Sequence, residues 1–161
     1  DLYNPEPEAN GLQYKLARNQ EYYIVCGRGN YTESDLVIPS EYNGKPVQRI
    51  AESAFRGDKD IISITIPDSV THIEEYAFCG SSVTVINLPT SVEHIEEWAF
   101  GECHSLERFN YAGTLDQFNS IGGIMWKCNS GRPYLLPNRP EISVEIVCTD
   151  QSIYSTDTYN G

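Results

Sequence analysis

The segment from 61 to 100 is written twice. Ile64-Thr65-Ile66-Pro67-Asp68-Ser69-Val70-Thr71-His72-Ile73-Glu74-Glu75-Tyr76-Ala77-Phe78 is followed by Ile86-Asn87-Leu88-Pro89-Thr90-Ser91-Val92-Glu93-His94-Ile95-Glu96-Glu97-Trp98-Ala99-Phe100, a spacing of 22 residues. A fixed period of this length marks a solenoid. One such unit cannot bury its apolar face alone, so the coils must stack. The repeat therefore sets the fold and moves the question of function onto the surface.

The coils align column by column. Leu36, Ile64, Ile86 and Phe109 fall in one column, and Ile38, Ile66, Leu88 and Tyr111 in the next, two residues on. Positions two apart on a strand face the same side, so both columns point inward. Val47, Val70 and Val92 follow, then Ile50, Ile73 and Ile95, and each coil closes on Ala54-Phe55, Ala77-Phe78 or Ala99-Phe100. The alanines leave room for the neighbouring rings, where a larger residue would overpack. Pro39, Pro67 and Pro89 end the strands because proline cannot donate to a ladder. The first coil is five residues longer, and its Asn43-Gly44 predicts a small projecting hairpin.

Both ends differ from the repeats. Leu12-Gln13-Tyr14-Lys15-Leu16 alternates, and Tyr22 to Cys26 follows a polar stretch, which predicts a hairpin covering the first coil's open edge. After Tyr111, Thr114-Leu115-Asp116-Gln117 is a capping box opening a helix over 115–121, ended by Gly122-Gly123. Residues 126–140 read as a loop and 142–148 as a strand. The division expected is a linker or tail at 1–10 and one domain at 11–153. That domain comprises an N-terminal cap (12–35), repeats (36–111) and a C-terminal cap (112–150). A polar, frayed tail covers 154–161.

The run at 64–78, with Leu36-Val37-Ile38-Pro39-Ser40-Glu41-Tyr42-Asn43-Gly44-Lys45-Pro46-Val47, resembles the BspA-type leucine-rich repeat. The ending from Tyr111 to Ile121, closing on Val147 to Asp150, is similar to caps of the same family. The resemblance spans roughly 12–150. It implies a leucine-rich-repeat-like right-handed solenoid, mostly β, with short strands, turns and short helical segments. It also implies a bacterial cell-surface or secreted setting, adhesion in some members, and no catalytic residues. Cys79 after Phe78 and the long proline-bearing segment 124–140 depart from the family pattern.

Composition narrows the function classes. A net charge of -12 disfavours nucleic acid and anionic lipid, both of which need clustered Lys and Arg. No apolar run reaches the roughly 18 residues of a membrane span. The chain begins at Asp1 without Met, which reads as a trimmed or partial form, so the missing leader says nothing about compartment. The five cysteines include no C-x-x-C pair. Cys26, Cys79 and Cys148 read as small buried hydrophobes, and Cys128 with Cys148 is the pair to test for a disulfide.

Several constellations are weak. His72 and His94 share a repeat position and can stack, but a metal site lacks a clear third ligand. Glu52, Glu75 and Glu97 form an acidic column and Glu74 and Glu96 a second. The repeat itself explains these pairs better than glycosidase or calcium chemistry does. Cys103-His104 are sequence neighbours, which is not a catalytic arrangement. Gly27-Arg28-Gly29 lacks the rest of a nucleotide loop. Asn30-Tyr31-Thr32 is a glycosylation sequon without meaning in a bacterial protein.

The candidate ligand-binding surface is the outward side of the repeat strands: Thr65, Asn87 and Asn110 in one row, Ser63, Val85 and Arg108 in another. Tyr76 and Trp98 are added as exposed, stacked aromatics of the kind enriched in interfaces. Four rungs give a small area, and protein interfaces use about 800 Å² per partner. The expectation is a monomeric, non-catalytic domain with no cofactor that binds a protein or glycan ligand in adhesion or host interaction. A structural spacer is the alternative, and an enzyme the remote one.

Overall fold

The computed structural model describes residues 11–122 and 143–156. Four coils stack as expected, and the chain forms a mostly β solenoid with one short helix among the described residues. The N-terminal hairpin is β1 (Gln13–Leu16) and β2 (Tyr23–Gly27). The coils then supply β3 (Asp35–Val37), β4 (Glu41–Tyr42), β5 (Lys45–Ile50), β6 (Ser63–Thr65), β7 (His72–Ile73), β8 (Val85–Leu88), β9 (His94–Ile95) and β10 (Arg108–Tyr111). The C-terminal cap follows as α1 (Leu115–Ser120), β11 (Ser143–Val147) and β12 (Ser152–Thr156).

Two six-stranded sheets enclose the core. One runs β1-β2-β5-β7-β9 with β4 hydrogen-bonded to β5, and the other runs β12-β11-β10-β8-β6-β3. Coil-to-coil pairing is parallel throughout, with Leu36, Ile64, Ile86 and Phe109 in register. Ile146 of β11 extends that column, since β11 pairs parallel to β10. All five of these side chains are fully buried. Stacked phenylalanines form the third side: Phe55 and Phe78 lie 5.2 Å apart, and Phe78 and Phe100 5.4 Å. Phe109 then meets Phe100 edge-on and ends the stack.

The segments closing each coil are consecutive turns. The N–H of Ser53, Phe55 and Gly57 donates to Glu75, Ala77 and Cys79 of the next coil. The N–H of the residues between them, Ala54 and Arg56, points back three residues within the coil. Tyr76, Phe78 and Gly80 repeat the pattern onto Glu97, Ala99 and Gly101. A helix would direct every N–H back along its own axis and leave the neighbouring coil's carbonyls unmet.

The caps act differently on the two sheets. The N-terminal hairpin covers the β5 edge through β2, as expected, but not the edge of β3. There the Tyr31 hydroxyl donates to the Asp35 carbonyl and accepts from the Val37 N–H, covering two ladder groups with one side chain. At the far end, Gly122 bonds β9 in both directions: Ile95 N–H to its carbonyl at 2.9 Å, and its own N–H to Glu93 at 2.8 Å. The Thr114–Gln117 capping box forms, with reciprocal bonds of 3.2 and 2.8 Å.

Two expectations are corrected. The Asn43-Gly44 hairpin does form, with φ of 47° and 79°. It does not project, because Tyr42 folds onto the N-terminal hairpin, stacking on Tyr14 at 4.1 Å and meeting Tyr23 edge-on at 4.6 Å. Residues 154–156, read as the start of a polar tail, belong to β12, which pairs antiparallel to β11. The composition of β12 is that of an edge strand: Ser152 and Tyr154 are exposed and Ile153 packs on the core. The expected tail at 1–10, the loop at 126–140 and the Cys128–Cys148 pair involve residues outside those described.

Two left-handed positions recur in the first three coils. One holds Ser53, Tyr76 and Trp98 at φ of 56°, 56° and 59°; the other holds Gly57, Gly80 and Glu102 at 71°, 71° and 53°. Only glycine occupies that region without penalty, and other residues pay about 1–2 kcal/mol. Replacing Glu102 with glycine is expected to raise unfolding free energy by about 1 kcal/mol. Gly80→Ala, with no atom closer than 4.0 Å to the new methyl, should lower it by a similar amount. Urea denaturation of the three proteins measures both; equal stabilities would refute the backbone account.

Candidate functional site

The outward rows come together as read from the sequence and continue into both ends of the sheet. One row is Asp35, Ser63, Val85, Arg108, Glu145 and Tyr154. The other is Val37, Thr65, Asn87, Asn110, Val147 and Ser152. Glu145, Val147 and Tyr154 come from the cap strands and were missed in the sequence. A period of two in 142–148 shows a strand, but nothing local says which strand it joins.

Within the second row the side chains link along the stacking direction. The Asn110 amide donates to Asn87 Oδ1 at 2.9 Å, and the Asn87 amide donates to Thr65 Oγ1 at 3.3 Å. Amides at ladder spacing satisfy one another, which orients them. In the first row Ser63 donates to Asp35 at 2.6 Å, and Arg108 is held by Glu145 at 3.1 Å. Val85 lies between them, half-buried.

At the carboxyl ends of β6, β8 and β10 this face opens into a depression of about 310 Å³. Ile66, Leu88, Pro89 and Tyr111 give it apolar walls, and Asp68, Asn87 and Asn110 give it polar ones. Burial, with a smaller push from the neighbouring Cys148, raises the Tyr111 phenol above its ordinary pKa of 10.0, so it is neutral at physiological pH. The volume suits one side chain or a small ring system.

Tyr76 and Trp98 do not form the expected exposed pair. Both are half-buried. Tyr76 lies under the Arg56 guanidinium, 4.7 Å from ring centroid to cation. Trp98 donates from Nε1 to Glu97 at 3.1 Å and covers Gly101. A methyl at Gly101 would sit 2.4 Å from the indole. The third coil thus has glycine one position earlier than the second, to admit the indole, and leaves Glu102 in the left-handed slot. These aromatics are on the turn side of the coil, separate from the sheet face. The shared column is real, and Gly101 beside the indole is the sequence sign that Trp98 packs down.

The histidine column is also real. His72 and His94 stack with ring centroids 5.0 Å apart, and Arg49 precedes them in register, paired to Glu74 at 2.8 Å. Among the described residues no three His, Cys, Asp or Glu side chains converge as a metal group would need. Glu52 and Glu75 are exposed, and Glu97 is half-buried against Trp98. Cys103 is buried, donating its thiol to the Phe78 carbonyl at 3.2 Å, and burial pushes its pKa up to about 11. Burial also raises Cys26, Cys79 and Cys148, the opposite of what an activated thiolate requires. His104 is exposed.

Parallel coils joined edge to edge, a capped end on each sheet and a ladder-bearing outward face define a leucine-rich-repeat solenoid. The BspA type leucine rich repeat region matches residues 34–130, and the chain belongs to that family. The fold is similar to three solved bacterial leucine-rich-repeat proteins. The T. pallidum protein is 25% identical with a TM-score of 0.63, over 78% of this chain and 65% of its own. One from Bacteroides ovatus is 22% identical with a TM-score of 0.60, over 89% of this chain and 41% of its own. One from Bacteroides capillosus is 23% identical with a TM-score of 0.58, over 64% of this chain and 79% of its own. The chain thus spans about two-thirds of the T. pallidum protein and less than half of the B. ovatus one. No curated protein matches it. Among the described residues no helix is long and apolar enough to cross a membrane.

The histidine column makes stability pH-dependent. Burial lowers the His72 pKa below its ordinary 6.5, and the Arg49 guanidinium and His94 lower it further. The unfolded chain therefore takes up a proton at His72 before the folded one does. This histidine is without penalty above pH 6.5, and stability is lost progressively as pH falls from there through the folded value. The midpoint of thermal unfolding should fall between pH 7 and 5, and His72→Gln should flatten that slope. An unchanged slope in the variant would remove the histidine explanation.

Proposed function

We propose that this domain is a non-catalytic binding module of a bacterial cell-surface or secreted protein. It holds a protein or glycan ligand on the outward face of the β3-to-β12 sheet, in adhesion or host interaction. The observation that carries this reading is the Asn110–Asn87–Thr65 ladder opening directly onto the 310 Å³ depression. Side chains held in one orientation by their neighbours lose little freedom when a ligand arrives, and preorganisation of this kind favours affinity. The family's bacterial relatives and the domain's acidic surface support a module that works outside the cell.

A structural spacer is the second reading, favoured by the closure of the stack at Tyr31 and Gly122, which gives a self-contained rigid unit. The two readings separate on one experiment. The protein is passed over arrays of immobilised extracellular proteins and glycans, and its ligand is then tested against Asn87→Ala/Asn110→Ala. The double variant should bind at least about tenfold more weakly, while Glu52→Gln/Glu75→Gln on the turn side should bind as wild type. Full binding by the double variant would move the site elsewhere, and no ligand across broad arrays would favour the spacer.

A further inference from the structure

We infer that the depression beside Asp68 takes a basic side chain, arginine or lysine, from an extended segment of a partner protein. The inference rests on the binding reading above and names the chemistry of its partner. Among the described lining residues Asp68 is the one charge. Its carboxylate is exposed and makes no hydrogen bond or ion pair among the described residues, whereas other acids on this face are engaged: Asp35 with Ser63 and Glu145 with Arg108. The corresponding positions in the flanking coils are Ser40 and Thr90, so the charge is placed once and is not a by-product of the repeat.

The walls fit the rest of such a side chain. Ile66, Leu88 and Pro89 present apolar surface along which the methylene stem of Arg or Lys can lie, leaving its cationic end at the rim. Asn87 and Asn110 line the same space and offer amide oxygens to a guanidinium. The Asn87 oxygen already accepts one bond from Asn110 and keeps one lone pair, so Asp68 and the Asn110 amide oxygen are the freer acceptors. Among the described residues of the outward rows the one cation, Arg108, is held by Glu145, which offsets its charge toward a positive ligand. The net charge of -12 adds a long-range attraction that speeds encounter with a basic partner and is screened by salt. A neutral glycan uses neither the Asp68 charge nor that field, and this decides between the two ligand classes.

The test uses the full chain, with backbone and side-chain amide NMR as readout. The probes are acetyl-Gly-Gly-Arg-Gly-Gly-amide, its citrulline analogue, which keeps the shape without the charge, and cellohexaose as a neutral sugar. The arginine peptide should shift the Asn87 and Asn110 side-chain amides, and raising salt should weaken it. Asp68→Asn, or citrulline in place of arginine, should reduce affinity about three- to fivefold, the scale of an exposed ion pair. Equal binding of the citrulline peptide, or of Asp68→Asn, would overturn the inference. Cellohexaose shifting the same amides equally in wild type and Asp68→Asn would assign the depression to glycan and leave the binding reading standing. If the peptide shifts nothing while Asn87→Ala/Asn110→Ala still loses an array ligand, the basic-segment inference alone fails.

Discussion

Every coil completes its backbone hydrogen bonding on the coil beside it. The turns at 53–57 and 76–80 send alternate N–H groups across to the next coil's carbonyls, and the sheets on the other two sides do the same. A coil removed from the stack would leave these groups unpaired and expose its apolar side. The register of the whole molecule follows from this. Like residues fall on like residues, so Phe stacks on Phe, Ile on Ile, Asn on Asn and His on His. The asparagine ladder and the histidine column are both consequences of one backbone constraint.

The same constraint explains which features were legible in sequence. Buried columns repeat in type because each position meets its own copy, so Ile64/Ile86 and Phe78/Phe100 could be assigned to the core from spacing alone. The outward rows could be placed for the same reason. What could not be read was contact between segments that do not repeat. Tyr42 packs on Tyr14, 28 positions away, through an aromatic cluster with no periodic signature. Strand β12 is polar because it is an edge, and an exposed edge and a tail look alike in composition. Tyr76 and Trp98 look exposed from aromatic identity alone; Arg56 over one ring and Gly101 under the other are the non-repeating contacts that hold them down. In the third coil Gly101 and Glu102 exchange the roles of their counterparts to seat one indole.

The binding site we propose lies where the repeat is broken by chemistry and not by packing. Asp68 differs from Ser40 and Thr90 at a position where no packing demand distinguishes them, and it opens on a depression whose other walls are the repeat's own Ile66, Leu88 and Asn87. The turn-side irregularities, by contrast, are explained by local contacts: Arg56 over Tyr76, Trp98 over Gly101. A repeat scaffold thus provides a rigid lattice, and a single substituted position gives it charge and direction.

Native-state hydrogen exchange tests the central claim, that the coils stand only together. The amides of Phe55 and Phe78 each donate to the next coil, at 2.7 and 2.8 Å. If the stack is one cooperative unit, both exchange with the same opening free energy, equal to that of global unfolding. Exchange of Phe55 at an opening free energy lower by about 3 kcal/mol or more, with Phe78 still protected, would show coils that open one at a time.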